Sequence, residues 1–113
     1  MHELSIAESM VSLIEDESCS KGFSRVRRVG IKLGALGHVE PAALLFCFDV
    51  VTRGTIAEGA HLDLVTVPAA GWCPRCRRSV AMSQRYDLCP DCGQSHVQMT
   101  EGDELRLSEL EVE

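Results

Sequence analysis

The chain is poor in aromatic residues: three Phe, one Trp and one Tyr make up 4% of 113 residues. A core built on large rings is excluded, so the packing must be aliphatic, carried by Leu, Val, Ile and Ala. No apolar run reaches the roughly 18 residues that a membrane-spanning helix needs. The first residues lack the basic and apolar regions of a secretory signal. We therefore expect a cytoplasmic chain with no membrane partner. Positive charge is also scarce: eleven Lys and Arg stand against seventeen Asp and Glu, a formal net charge of −6. Unspecific nucleic-acid binding depends on cations that neutralise phosphates, and this balance argues against it. Repeats and low-complexity tracts are absent. The length suits one small domain, or one domain with a small insert. A domain of this size buries only roughly two-thirds of its surface, so a metal crosslink would add useful stability.

Periodicity is clear where it occurs. Leu4, Ala7, Val11 and Ile14 recur at spacings of three and four, with Met10 and Leu13 beside them, and predict a helix over 5–21. Ser5 and Glu8 form a capping box that places its start near Ser5. Gly22 is a natural stop, and Cys19 near that end reads as a half-buried small residue. In 25–34, Val29, Ile31 and Leu33 alternate with polar or small residues and predict a strand, with Val26 out of phase. Pro41 suits the first turn of a second helix and Gly54 its end. The stretch 42–51 is apolar almost all round, so this helix should be largely covered, with Cys47 in the core. Residues 61–67 and 104–113 read as further strands, the last with a change of phase near Ser108–Glu109 that a bulge would reconcile.

Six cysteines in a reducing compartment read as metal ligands plus buried thiols rather than disulfides. Four of them form Cys73-x2-Cys76 and Cys89-x2-Cys92, separated by 12 residues. Two residues between cysteines let both thiolates turn onto one ion, and two such turns complete a tetrahedron. A d¹⁰ zinc ion accepts that soft, tetrahedral set without penalty. Pro74 and Pro90 stiffen the turns. Gly93 can take the left-handed conformation that closes such a knuckle, whereas the first knuckle has Arg77 there. The four positions imply one closed, structural zinc per chain, with a rubredoxin-type iron site as the chemical rival. Bound as thiolates, they would move the net charge to about −8. Arg75, Arg77, Arg78 and Arg85 surround the motif and can balance its charge. The expected layout is an α+β domain over 1–68 plus 101–113 with a zinc domain inserted over 69–100, joined by flexible segments at 68–71 and 100–103.

The chain opens "MHE". The amine of Met1, the backbone nitrogen of His2 and its imidazole Nδ1 can close fused five- and six-membered chelate rings, with the Glu3 amide next in reach. Deprotonating amide nitrogens calls for a square-planar ion such as Ni(II) or Cu(II). Histidine is too large for the usual trimming of an initiator methionine, so Met1 should stay. Taken alone, a second-position histidine is most simply a surface residue, and Glu3 a negative charge near a helix start.

Together, "MHELSIAESM", "RVGIKLGALGHVEPAALLFCFDVVTRGTIAEGAHL", the paired CPxC knuckles and "LRLSELEVE" resemble the HypA/HybF family of hydrogenase maturation factors. The resemblance runs over the whole chain. It implies an α+β fold in which two helices pack on a small three-stranded mixed sheet, with a four-cysteine zinc ribbon inserted. It also implies that His2 is the essential nickel ligand, supported by Glu3, with the Met1 amine completing the chelate read above, and that Cys73, Cys76, Cys89 and Cys92 hold zinc. The nickel would be a transient cargo. Partners implied are a GTPase co-chaperone, the large subunit of a [NiFe] hydrogenase and, for some members, urease maturation proteins. Certain members place a histidine beside a zinc cysteine. Here Arg77 and Gly93 occupy those places, and the nearest histidine is His96, which could instead approach the nickel. His38 and His61 read as a loop and a strand-edge residue. The rival function is a zinc-ribbon module that binds nucleic acid or docks a protein. An enzyme is not expected, since no nucleophile–base pair, open metal site or phosphate loop is present.

Overall fold

A computed structural model describes residues 2–113. Two helices and six strands follow in the order α1 (Glu3–Lys21), β1 (Val26–Gly34), α2 (Pro41–Val51), β2 (His61–Val67), β3 (Ala70–Cys73), β4 (Arg78–Ala81), β5 (Gln98–Glu101) and β6 (Leu105–Val112). The chain forms two compact units. One comprises residues up to Ile31 with His38–Val65 and Arg106–Glu113, the other Lys32–Gly37 with Thr66–Leu105.

In the first unit α1 buries Ala7, Met10, Val11 and Ile14, a stripe of the expected helical spacing. Gly22 ends the helix in the left-handed conformation at φ 79°, its N–H donating to the Ser18 carbonyl at 2.8 Å. The start differs from expectation. The helix begins at Glu3, so Ser5 and Glu8 lie inside it and the capping box is not the boundary. Leu4, Leu13 and Cys19 face solvent.

Helix α2 begins at Pro41 after the Glu40 cap, as the fixed φ of proline favours. Its coverage is much less than its composition suggests. Only Leu44 and Phe48 are buried, while Leu45, Val50 and Phe46 are exposed, Phe46 by 71%, and Cys47 is half-buried. One turn separates Leu44 from Phe48, so the fold covers a single stripe of this helix. Uniform apolarity cannot tell which stripe, or how many, find a neighbour.

The first sheet has the order β2-β1-β6. Arg25 pairs with Glu113 near one end of β1 and Gly34 with Glu104 near the other, so β6 runs antiparallel to β1. Ala35, just past the end of β1, bonds to Val67 at the end of β2, so those two strands run in parallel. The result is the expected mixed sheet. Arg28 on β1 ties its neighbours together, pairing with Asp63 on β2 and, at 2.6 Å, with Glu109 on β6. These carboxylates hold the guanidinium firmly charged. His61 opens β2 and lies 2.8 Å from Asp63.

The second unit carries three short strands that periodicity did not reveal. They form a sheet of order β4-β3-β5, with β3 antiparallel to both neighbours. Trp72 lies opposite Ser79 on one side and Gln98 on the other. The core here is thin: Ala69, Cys73, Val80, Met82, Cys89 and Val97 are buried, with Cys76 and Cys92 packed against them. The four paired cysteines therefore belong to the core. Positions 70–71 and 100–101, within the segments expected to be flexible, lie in β3 and β5. Among the described residues no helix is long and apolar enough to cross a membrane.

Candidate metal centres

Cys73, Cys76, Cys89 and Cys92 come together, all four Sγ atoms lying within 4.8 Å of one another. Cys73 and Cys92 are 3.8 Å apart, and Cys76 and Cys89 3.9 Å. Thiolates placed tetrahedrally at ~2.3 Å from a zinc ion are separated by ~3.8 Å, which the two pairs at 3.8 and 3.9 Å match.

Two knuckles of the same build present these sulfurs. In the first, the Arg77 N–H donates to the Cys73 carbonyl at 2.7 Å and the Cys76 N–H to Cys73 Sγ at 3.3 Å. In the second, the Gly93 N–H donates to the Cys89 carbonyl at 2.8 Å and the Asp91 N–H to Cys89 Sγ at 3.4 Å. The residue after each second cysteine is left-handed: Gly93 at φ 65°, as expected, and Arg77 at φ 56°. A side chain in that conformation costs roughly 1–2 kcal/mol, so the first knuckle keeps its shape at the expense of strain.

The thiols have unequal acidity. Burial, and then the neighbouring thiols, push Cys76 up to about 12, whereas the Gln94 N–H draws Cys92 down to about 7. Four thiolates this close repel one another and need a cation to ionise together. All four positions are filled by protein, which is the arrangement of a closed, structural site.

The surrounding charges divide in two. Arg78 reaches across to Asp91 of the second knuckle at 3.1 Å, an ion pair that the spacing alone did not disclose. Arg85 donates to the Leu36 carbonyl at 3.4 Å and lies 3.5 Å from Asp103. Arg75 and Arg77 are exposed and make no ion pair among the described residues. The loop before the second knuckle is closed by Asp87, whose carboxylate accepts the N–H groups of Ser83 at 2.9 Å and Gln84 at 3.2 Å. His96 Nδ1 sits 3.1 Å from the Tyr86 carbonyl.

At the other end of the sequence, Met1 lies outside the described residues. His2 is exposed and caps α1 with its backbone only: its carbonyl accepts the Ile6 N–H at 2.9 Å, and its side chain makes no capping bond. The amide nitrogens of His2 and Glu3 precede the first intrahelical donor, so neither is held by a helical acceptor. Glu3 is 7% exposed, and its carboxylate accepts the Glu40 N–H at 2.9 Å. That bond is the main reason its acidity is strengthened, to about 2. Glu3 thus joins the start of α1 to the start of α2, two helix ends whose partial positive charge favours a carboxylate. Sequence alone placed Glu3 near a helix start, but only the fold supplies its partner.

An α+β unit and a closed four-cysteine centre in one small chain point to the class of metal-binding proteins. Comparison with known proteins narrows the class. Residues 1–112 match the family model described as "Hydrogenase/urease nickel incorporation, metallochaperone, hypA". The hydrogenase maturation factor HypA of Methylocella silvestris is 59% identical over 113 residues, and that of Azotobacter vinelandii 50%, each match covering both chains completely. The solution structure of the Ni metallochaperone HypA from Helicobacter pylori superposes with a TM-score of 0.74, covering 99% of this chain and 97% of that one at 24% identity, which speaks to the fold. The chain belongs to the HypA family of nickel metallochaperones.

Proposed function

We propose that this chain binds one Ni(II) ion at its N-terminus and delivers it for insertion into the large subunit of a [NiFe] hydrogenase. The Met1 amine, the backbone nitrogen of His2 and the His2 imidazole form the chelate. Glu3 supports it through its amide and by fixing the residue that follows His2. Cys73, Cys76, Cys89 and Cys92 hold one zinc ion whose role is structural. The functional division is a nickel-binding domain over 1–68 plus 101–113 and a zinc-binding domain over 69–100. The chain works in the cytoplasm with a GTPase co-chaperone, and carries metal without catalysing a reaction of its own.

The observation that carries this reading is the pairing of an exposed, uncommitted His2 with an anchored Glu3. A ligand that is open to water can pass its ion on, while the next residue holds the terminus in place. Planar nitrogen ligation selects nickel or copper over zinc, which keeps the two centres chemically apart. The test is a nickel titration of zinc-loaded wild type and His2→Ala. Wild type should take up one equivalent, and the variant should lose at least tenfold in affinity, about 1.4 kcal/mol, with its zinc intact. Equal affinity in the two proteins would sink the proposal.

A further inference from the structure

The two knuckles share the Cys-Pro-x-Cys sequence and a left-handed closing residue, and are opposite in charge. After the proline, Arg75 stands in the first where Asp91 stands in the second, and Arg77 stands where Gly93 stands. Asp91 is taken by Arg78. Arg75 and Arg77 are left exposed without a carboxylate among the described residues. Neither is among the hydrogen-bonding partners of the cysteine sulfurs, whose backbone bonds come from Cys76, Asp91 and Gln94. Arg77 also occupies a backbone conformation that glycine adopts freely. A bulky cation is therefore held in a strained position for which the unit itself supplies no partner.

The same hairpin displays the chain's one tryptophan. Trp72 is 41% exposed, next to the buried Cys73 and on the opposite side of β3 from it. Its cross-strand neighbours are the uncharged Ser79 and Gln98, and Trp72 keeps 41% of its surface open. Three residues of chain separate Trp72 from Arg75, at most about 11 Å even if fully extended. The Arg77 N–H bond to the Cys73 carbonyl brings Arg77 back beside the end of β3. An exposed indole and two unpaired arginines on one short hairpin have the make-up of an interface hot spot.

We propose that Trp72, Arg75 and Arg77 form a docking site for an acidic polypeptide segment of a partner protein, with an apolar side chain of that segment against the indole. Charge decides the occupant. A guanidinium offers a planar fork that matches a carboxylate, and a chain with a net charge of −6 disfavours an acidic partner overall, so two neighbouring unpaired arginines give register as well as attraction. A nucleic acid would need a longer track of cations and successive aromatic platforms, and this hairpin has one indole and two free arginines. The inference stands apart from the nickel chemistry, since none of its residues belongs to the N-terminal site.

The test uses the zinc-loaded full chain and three probes: a short labelled peptide of alternating glutamate and leucine, its lysine–leucine counterpart, and a single-stranded RNA of mixed sequence. The glutamate peptide should bind and shift the intrinsic emission to the blue as the indole leaves water, since Trp72 is the only tryptophan. Arg75→Glu/Arg77→Glu should weaken that binding roughly tenfold, about 1.4 kcal/mol, and Trp72→Ser should weaken it without loss of zinc. Trp72→Phe, which keeps a ring, should restore most of it. Preference for RNA or for the lysine peptide would overturn the proposal, as would the absence of an emission shift. If the double charge reversal releases zinc and leaves the peptide affinity of the remaining loaded protein unchanged, the arginines serve only to balance the cluster, and the proposal fails.

Discussion

The four-cysteine cluster and the proposed N-terminal nickel site are built on opposite designs. The cluster draws its ligands from two knuckles that meet across a sheet, with Cys73 and Cys89 buried and all four sulfurs within 4.8 Å. The proposed terminal site is contiguous in sequence and exposed at His2, and the carboxylate of Glu3 ties the residue after it to the start of α2. Burial and a complete tetrahedral set favour an ion that stays. Exposure and a chelate ahead of the first helical hydrogen bond favour one that leaves. One chain can then carry both ions without exchanging them, because sulfur in a tetrahedron and nitrogen in a plane prefer different metals.

The most forceful way to break this comparison is to remove the cluster's metal. The second unit has a thin core in which the cysteines themselves take part, so its stability should rest on the ion. Structural zinc in finger peptides supplies on the order of 10–16 kcal/mol. Treatment with a strong chelator should therefore abolish the ordered near-ultraviolet signal of Trp72 while the helical signal of α1 and α2, which lie in the other unit, persists. Simultaneous loss of both signals would show that the metal supports more than the unit that holds it.

A smaller effect is expected at the terminus. The Glu40 N–H holds Glu3 down to about 2 from an ordinary 4.5. A carboxyl whose acidity is strengthened by folding adds stability that is fully present above its unfolded value and disappears as pH falls through its folded one. Wild type should thus melt above Glu3→Gln near neutrality, and the difference should shrink as pH falls below about 4.5 and vanish near 2. A constant difference across that window would mean that Glu3 contributes shape rather than charge. The same variant should still take up nickel, with lower affinity, if Glu3 acts by positioning.

These particulars also explain what could be read from sequence. The end of α1 at Gly22, the start of α2 at Pro41 and strand β2 over 61–67 were legible because each depends on local chemistry: a left-handed cap, a fixed φ, a short alternation. The start of α1 was not, because a strong local motif at Ser5 and Glu8 competed with a bond from Glu3 to Glu40, 37 residues away. The exposure of Phe46 was hidden by a composition that is apolar on every side. Strands of four residues such as Ala70–Cys73 carry too little alternation to register, and their pairing of Gly71 with both Val80 and Met99 spans distant segments. The cysteine centre was visible from spacing alone. His2 drew its meaning from resemblance across the whole chain, since one histidine near a terminus is chemically ambiguous.

The finest contrast lies between the knuckles themselves, and Arg77→Gly isolates it. Both knuckles close with a left-handed residue, at φ 56° for Arg77 and 65° for Gly93. Glycine at 77 relieves the side-chain strain of that conformation but gives the unfolded chain more freedom to lose. The first effect is the larger in this region of backbone space, so the variant should be more stable by about 1 kcal/mol, seen as a small rise in melting temperature with zinc content unchanged. The same substitution removes half of the unpaired charge at the hairpin tip and should weaken the acidic peptide by a few-fold. A gain in stability joined to a loss in binding would identify Arg77 as a residue kept for a partner. A loss in stability would instead assign its guanidinium to the fold, and the asymmetry of the two knuckles would then be a matter of packing alone.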